Sequence, residues 1–518
     1  MIGRSFGSAL DAFALAYPSE TALIHGDLRM TYDQMFGEIR RTGRAFLAMG
    51  LRAGDRLAFV MENSADLIAV MYGALWAGLT IVPLNARLSA QDQRYMLADV
   101  KARGLVFDLA NAERAHQLLD IGIEFAIATA SDAVPPKGYL LSALRDGQPH
   151  GPGAPSVDVD QECWVQYTGG TTGYPKGAVH SHRSVLTSLY SATVEYSVQP
   201  GEVTAHVAPL THSGQLYVMP VWSRGGTQVV LGGYEPERLL HAIERERIES
   251  VLLVPTMLYQ LLDLPNITDY DLSSLRTVTY GAAPIGAERL EQALDILGPV
   301  FVQAYGQTEA FGQITMLSKH DHLRAVDDPE LLRSCGRPVS IADVRCADDE
   351  LLTVADGEPG EILVKGPHLT SGYVNKPAET AEALRGGWLL TGDIGVRDER
   401  GYFFIVDRKK DMIVSGGFNV YPKEVERALF GHPAVADVCV IGVPDSKWGE
   451  SVKAVVVARG GAEPSESELI AFVKEQKGSV LAPKSIDFVD VIPVTAAGKH
   501  DKKAVRANYW SGRARGVN

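Results

Sequence analysis

Tyr167-Thr168-Gly169-Gly170-Thr171-Thr172-Gly173-Tyr174-Pro175-Lys176-Gly177 sets the reading of this chain. The apolar run Cys163-Trp164-Val165-Gln166-Tyr167 that leads into it predicts a short buried strand. Glycines let successive backbone N–H groups turn inward with no Cβ in the way, and inward N–H groups form a nest for an anion. The hydroxyls of Thr168, Thr171 and Thr172 add donors, and Lys176 adds a positive charge. The expectation is a loop that closes over a polyphosphate. A flexible surface spacer has no need of threonines, a proline and a lysine at these places. A P-loop requires Gly-Lys-Ser/Thr in direct succession. Here Pro175 precedes the lysine and Gly177 follows it, so that motif fails.

At 518 residues the chain has room for two or more domains, each with its own core. It is 46% apolar and 22% charged, in the ordinary range for a globular protein. A net charge of −14 argues against a general affinity for nucleic acid or anionic membrane, so a nucleotide site needs its own local cations. Four scattered cysteines contain no Cys-x-x-Cys pair, which suggests neither a zinc site nor a disulfide framework and fits a reducing cytoplasm. Asp11 interrupts what would be a signal-peptide core, and Phe6, Leu10, Phe13 and Tyr17 follow helical spacing instead. The segment from Leu67 to Leu84 is uncharged and just long enough to raise a transmembrane helix. Gly73, Gly78 and Pro83 punctuate it, so the better reading is a buried helix (about Ala65 to Ala77), a glycine turn and a buried strand from Thr80 to Pro83, with no stable membrane insertion.

Outward from the glycine–threonine loop, apolar bursts alternate with helical patterns between about Thr21 and Ala130, as at Arg56 to Val60 and Gly104 to Phe107. That alternation favours a doubly wound parallel sheet. Gly147 to Asp160 reads as a connector. Downstream, a strand ends before Pro209-Leu210-Thr211-His212-Ser213-Gly214. Two further strands lie at Ser250 to Pro255 and at Thr277 to Pro284, the second ending in Gly281-Ala282-Ala283. Small residues there admit a ligand or pack a helix tightly, and either account holds. Next comes Val302-Gln303-Ala304-Tyr305-Gly306-Gln307-Thr308-Glu309. Beyond it lie Gly357-Glu358-Pro359-Gly360-Glu361-Ile362, Gly372-Tyr373-Val374-Asn375-Lys376-Pro377 and Gly387 to Asp393; the first two read as structural turns around strands. The charge run Asp407-Arg408-Lys409-Lys410-Asp411 would ordinarily be a solvated face. A helix from Pro422 to Phe430 and strands at Asp437 to Gly442 and Ala454 to Val457 predict an α+β tail unit, before Ile492 to Lys499.

In this order, from about Thr21 to Arg506, the motifs resemble those of the adenylate-forming superfamily of acyl-CoA synthetases, peptide-synthetase adenylation domains and luciferases. The nearest look is to carboxylate–CoA ligases for fatty or aryl acids. The resemblance implies an α/β fold. A large N-terminal domain, residues 1–406, would hold doubly wound sheets and a small β-barrel-like subdomain. Residues 407–411 would be a hinge and 412–518 a small mobile α+β domain.

The resemblance also implies residue roles. Thr168, Gly169, Gly170, Thr171, Thr172, Gly173 and Lys176 would cradle the ATP phosphates, with Thr172 taking part in catalysis. Tyr305, beside Gly306, would stack on adenine, Thr308 would contact phosphate, and Glu309 would hold Mg2+, a cation that favours oxygen ligands. Asp393 and Arg408 would bind ribose, and Lys410 would be the pivot. Gly416 and Gly417 would line a passage for the pantetheine arm of CoA. Lys499 would reach the carboxylate and α-phosphate. His212, Gly281, Ala282, Ala283 and Gln303 would border the acid. Thr211 and Ser213 flank His212 with no carboxylate, which favours a substrate without an α-amino group.

Two departures bear on this. Gly169 stands where many members have Ser, and Ser479 to Lys484 replaces a segment that is often more basic. The implied activity is ATP-dependent conversion of a carboxylic acid to an acyl-adenylate and then to an acyl-CoA, with ATP, Mg2+ and CoA as cofactors in a cytoplasmic enzyme. Capture by an amine or by a carrier-protein thiol, a non-catalytic binding protein, and a homo-oligomer all stay open.

Overall fold

The computed structural model describes residues 4–168, 175–283, 285–415, 418–445, 448–494 and 500–510. The chain divides into two units, residues 1–344 with 364–389, and residues 345–363 with 390–518.

The first unit is built on two sheets. One has nine strands in the order Arg337–Pro338, Thr315–Leu317, Phe301–Tyr305, Thr277–Gly281, Ser250–Leu253, Val203–His206, Thr227–Val230, Thr21–His25 and Leu28–Thr31. Its six central strands, from Phe301–Tyr305 to Thr21–His25, run parallel, so their carboxyl ends share one edge. The other has eight strands in the order Gly372–Tyr373, Lys176–Ser181, Glu162–Thr168, Thr80–Pro83, Arg56–Val60, Gly104–Phe107, Phe125–Ala128 and Tyr139–Leu140. Strands such as Thr80–Pro83, Gly104–Phe107 and Ser250–Leu253 are buried at every position. That is why they read as unbroken apolar runs rather than as alternation.

The uncharged segment splits as expected. Ser64 caps the helix Ala65–Trp76 by accepting from the Leu67 amide, Gly78 turns at φ +80, and Thr80–Pro83 enters the sheet. Among the described residues no helix is long and apolar enough to cross a membrane. The helix Phe6–Ala16 is docked by the residue that interrupts its apolar run. Asp11 accepts from Arg40 Nε at 2.8 Å, Trp76 Nε1 at 3.0 Å and the Gly153 amide at 2.9 Å, so it also pins the 147–160 connector. The core beneath is aromatic: Trp222 meets Phe36 at 4.9 Å and Tyr72 at 5.1 Å between ring centroids.

The second unit holds most of a five-stranded sheet that includes Pro359–Lys365, Trp388–Arg397 and Phe403–Arg408. It also holds the α+β tail, with strands Val435–Asp445 and Gly449–Ala458 paired antiparallel and helices Pro422–Phe430 and Glu466–Leu481. Val425, Leu429, Val438, Val440, Val452 and Val456 close its core. The charge run is not a solvated face. Asp407 is 1% exposed and accepts from the Arg408 and Lys423 amides, both at 2.7 Å, which ties the strand end to the start of the following helix.

Candidate active site

Thr168 and Lys176 face each other as the last paired residues of the antiparallel hairpin formed by Glu162–Thr168 and Lys176–Ser181. The hairpin therefore presents a hydroxyl and an ammonium at the base of the glycine–threonine loop. Gly169, Gly170, Thr171, Thr172 and Gly173 lie outside the described residues, as do Gly416, Gly417 and Lys499.

The strand Phe301–Tyr305 delivers Gln303 and Tyr305 to the carboxyl edge of the larger sheet, and the chain then turns through Gly306 into a short 3-10 turn, Thr308–Ala310. A Cβ on Gly306 would lie 2.1 Å from the Gly312 carbonyl oxygen, so only glycine lets this turn fold back on itself. Several contacts bring the turn to the hairpin. His180 Nε2 donates to the Thr308 carbonyl at 2.9 Å, the Thr370 amide donates to the Glu309 carbonyl at 2.7 Å, and the Tyr373 hydroxyl donates to Glu309 Oε1 at 2.6 Å. Lys176 Nζ sits 5.1 Å from the centre of the Tyr373 ring. Thr168, Lys176, Thr308 and Glu309 are thus gathered in one place. Burial drives the His180 pKa down to about 4, so this ring is neutral and its bond to Thr308 holds at physiological pH. Burial and the Glu309 carboxylate both push the Tyr373 hydroxyl well above its ordinary value, so it stays a donor.

The residues expected to border the acid include Gly281 and Gln303, on neighbouring parallel strands of the larger sheet. Gly281 pairs with Ala304 and Tyr280 with Gln303. A Cβ on Gly281 would fall 2.3 Å from the Ala304 carbonyl oxygen, so the close approach of the two strands by itself requires glycine here. Ala282 is exposed at φ +64, a left-handed conformation that costs a non-glycine residue roughly 1 kcal/mol or more. Gln303 keeps a buried Oε1 with no hydrogen-bond partner among the described residues. His212 is exposed at the start of the turn Ser213–Tyr217. Two buried contacts set the position of that turn. Tyr217 and Thr279 join hydroxyls at 2.6 Å, and Asn63 donates to the Ala208 carbonyl and accepts from the Leu210 amide, both at 2.9 Å.

In the second unit, Asp393 and Arg408 are direct partners across adjacent strands, with Arg408 Nε 2.5 Å from Asp393 Oδ1. Lys410 is the middle residue of a 3-10 turn, Lys409–Asp411, and burial lowers its pKa. Its neighbours are both anchored by ion pairs. Lys409 reaches Asp349 at 2.6 Å and Glu361 at 3.1 Å, and Arg506 reaches Asp411 at 2.7 Å.

The described structure thus places the Thr168–Lys176 pair beside the turn that bears Thr308 and Glu309. The sequence profile of the AMP-binding enzyme family matches residues 10–374, and that of the AMP-binding enzyme C-terminal domain matches residues 424–499. The chain belongs to the AMP-binding enzyme family. Among its relatives, it is similar to the medium/long-chain-fatty-acid–CoA ligase FadD8 of Mycobacterium tuberculosis, 41% identical over 97% of this chain and 89% of that protein. It is 37% identical to a feruloyl-CoA synthase of Amycolatopsis sp, over 95% and 96% of the two chains. Among solved structures it resembles the amide bond synthetase McbA of Marinactinospora thermotolerans, with a TM-score of 0.87 and 32% identity over 97% and 100% of the chains. Within this AMP-binding enzyme, sequence reasoning passed over Tyr373, His180, Tyr217 and Asn63. The Gly372-Tyr373 segment was legible only as a structural turn, since Glu309, the partner of Tyr373, lies 64 residues away in the chain.

Proposed function

We propose that this enzyme converts a carboxylic acid and MgATP to an acyl-adenylate and pyrophosphate, then transfers the acyl group to the thiol of CoA with release of AMP. The observation that carries the reading is the convergence of Thr168, Lys176, Thr308 and Glu309 through the Tyr373 and His180 bonds. The donor set fits Mg2+: Glu309 offers oxygen, and Tyr373 takes only one of its two carboxylate oxygens. A bound Mg2+ would neutralise charge on the phosphates. The chain's own groups do the rest. The substrate carboxylate is already ionised at pH 7, so no general base is required. Instead two anions must be aligned and their charge offset as the carboxylate oxygen attacks the α-phosphorus. Lys176, Thr308, the glycine–threonine loop with Thr172, and Lys499 supply the donors. Asp393 and Arg408 hold the ribose, Tyr305 stacks on the adenine, and His212, Gly281, Ala282, Ala283 and Gln303 border the acid.

In this reading residues 412–518 pivot about Lys410, Lys499 leaves after adenylation, and the Gly416-Gly417 segment takes its place for thioester formation. The acid is an apolar one, aliphatic or aryl, and the enzyme works in the cytoplasm. A second reading, capture of the adenylate by an amine, is favoured by the likeness to an amide bond synthetase.

The test is pyrophosphate release across fatty, aryl and amino acids, with and without CoA. CoA-dependent turnover of one acid class supports the ligase, and adenylation that CoA does not accelerate moves the acceptor to an amine or a carrier thiol. Lys499→Ala is expected to abolish adenylation yet retain thioester formation from supplied acyl-adenylate. Equal loss of both refutes its role.

A further inference from the structure

Tyr373 lies on a two-residue strand, Gly372–Tyr373, that adds to the outer edge of the phosphate hairpin, pairing Gly372 with Val179 and Tyr373 with Ala178. Its backbone is fixed from the other side as well, because the Tyr373 amide donates to Thr380 Oγ1 at 2.9 Å. Thr370, three residues earlier, spans the same gap. Its hydroxyl donates to the Val179 carbonyl at 2.7 Å and its amide to the Glu309 carbonyl at 2.7 Å. The segment from Thr370 to Tyr373 is thus stapled to the hairpin on one side and to the Glu309 turn on the other.

The Tyr373 side chain makes two different contacts at this junction. Its hydroxyl donates to Glu309 Oε1, and its ring face receives the Lys176 ammonium. Among the described residues no ion pair joins Lys176 to Glu309 directly, although both touch the same ring. Left without an intermediary, an ammonium and a carboxylate this near would attract each other, and each would be lost to its ligand. A ring presents a face to the cation and a donor to the carboxylate, so it satisfies both without letting them meet.

We propose that Tyr373 is a positioning residue of the metal–phosphate site, holding one Glu309 oxygen and keeping Lys176 apart so that the other oxygen is left for a divalent cation and the ammonium for phosphate. This rests on the reading of Glu309 as the Mg2+ carboxylate. Tyr373 touches no reacting atom; it acts through Glu309 and Lys176.

The experiment is a double-mutant cycle of Tyr373→Phe and Glu309→Gln in the full chain, read by calorimetric titration of Mn2+·ATP without acid or CoA. Tyr373→Phe keeps the ring and removes only the hydroxyl, and thermal melting checks that each variant folds. A hydrogen bond to a charged group is worth enough that Tyr373→Phe is expected to weaken Mn2+·ATP roughly tenfold or more. In the Glu309→Gln background the same change is expected to cost less than about twofold, since its route is gone. In turnover, KM for MgATP rises while KM for the acid holds. An unchanged affinity in Tyr373→Phe, or the same loss in both backgrounds, overturns the proposal. If Glu309→Gln lowers affinity but Tyr373→Phe does not, only the role of Tyr373 falls. If Glu309→Gln itself leaves Mn2+·ATP affinity unchanged, the metal reading falls with it.

Discussion

Asn63 is the residue whose loss should be felt furthest from its own place in the chain. It follows the strand Arg56–Val60 of one sheet, yet its amide group engages the segment leading to His212 from the other. It is 8% exposed, and its two partners, Ala208 and Leu210, are 2% and 0% exposed. Asn63→Ala therefore removes a donor from one buried carbonyl and an acceptor from one buried amide together. Leaving a buried polar group unpaired costs about 1–3 kcal/mol, so two of them give roughly 2–4 kcal/mol once partial relaxation is allowed. That loss is local, and hydrogen exchange reads local opening directly. The Leu210 amide is expected to exchange roughly 30- to 1,000-fold faster, the factor that corresponds to 2–4 kcal/mol. KM for the acid should rise while Mn2+·ATP affinity holds, because on the proposed reading His212 borders the acid and the hairpin is untouched. Asn63→Asp is the sharper control. It keeps an acceptor for Leu210 but points an oxygen at the Ala208 carbonyl, so it should be at least as damaging as Ala. Unchanged exchange across residues 204–217 in Asn63→Ala would refute the reasoning.

The buried histidines set an acid limit on stability. His180, His182, His322 and His368 are at most 1% exposed, and burial lowers the pKa of each to about 4. A lowered folded-state value means that stability is full above the unfolded value near 6.5 and is lost as pH falls toward 4. Each group contributes on the order of 3 kcal/mol at the acid end. Melting temperature against pH should drop steeply between 6.5 and 4, and His182→Leu should remove one proton from the slope; a flat profile over that window contradicts the assignment. In the second unit, Lys502 Nζ lies 2.9 Å from Glu426, both side chains under a fifth exposed, with Asp407 and Asp411 adding to its field. Lys502→Met leaves those carboxylates short of a cation and should destabilise the unit by about 3 kcal/mol, visible as a lower urea midpoint for its unfolding. No shift in that midpoint would mean that Arg506 alone carries the cluster.

The fold was legible where burial is uniform and boundaries are local. Arg56–Val60 and Gly104–Phe107 match the sequence reading residue for residue, because a strand covered on both faces writes itself as an apolar run between turns. The strand Glu162–Thr168 that leads into the glycine–threonine motif was legible for the same reason, whereas Gly169 to Gly173 lie outside the described residues. Tyr373 and Asn63 were not legible as site residues. Their partners lie 64 residues away at Glu309 and 145 residues away at Ala208, and nothing in the local pattern marks that pairing. The run from Asp407 to Asp411 misleads for the opposite reason. Its composition looks solvated, but Asp407 and Asp411 are claimed by backbone amides and by Arg506.

These hidden contacts share a form, and the form explains their use. Asn63 reaches from the smaller sheet to the His212 segment, His180 from the hairpin to Thr308, and Tyr217 from the His212 turn to Thr279 on the strand that ends at Gly281. In each, a side chain from one element fixes the backbone or strand of another. Adenylation demands that two anions be brought together, so the donors must be in place before the substrates arrive; donors that reorganise during the reaction return part of the stabilisation they offer. Loops alone would not hold such a geometry, since exposed segments open at little cost. Long-range polar clamps on the loop roots do hold it. On the His212 side the partners Ala208, Leu210 and Thr279 are buried, so breaking one leaves an unpaired group rather than a hydrated one. Variants at the clamps should therefore separate, on the proposed reading, into those that loosen the acid side, through Asn63 and Tyr217, and those that loosen the phosphate side, through His180 and Tyr373.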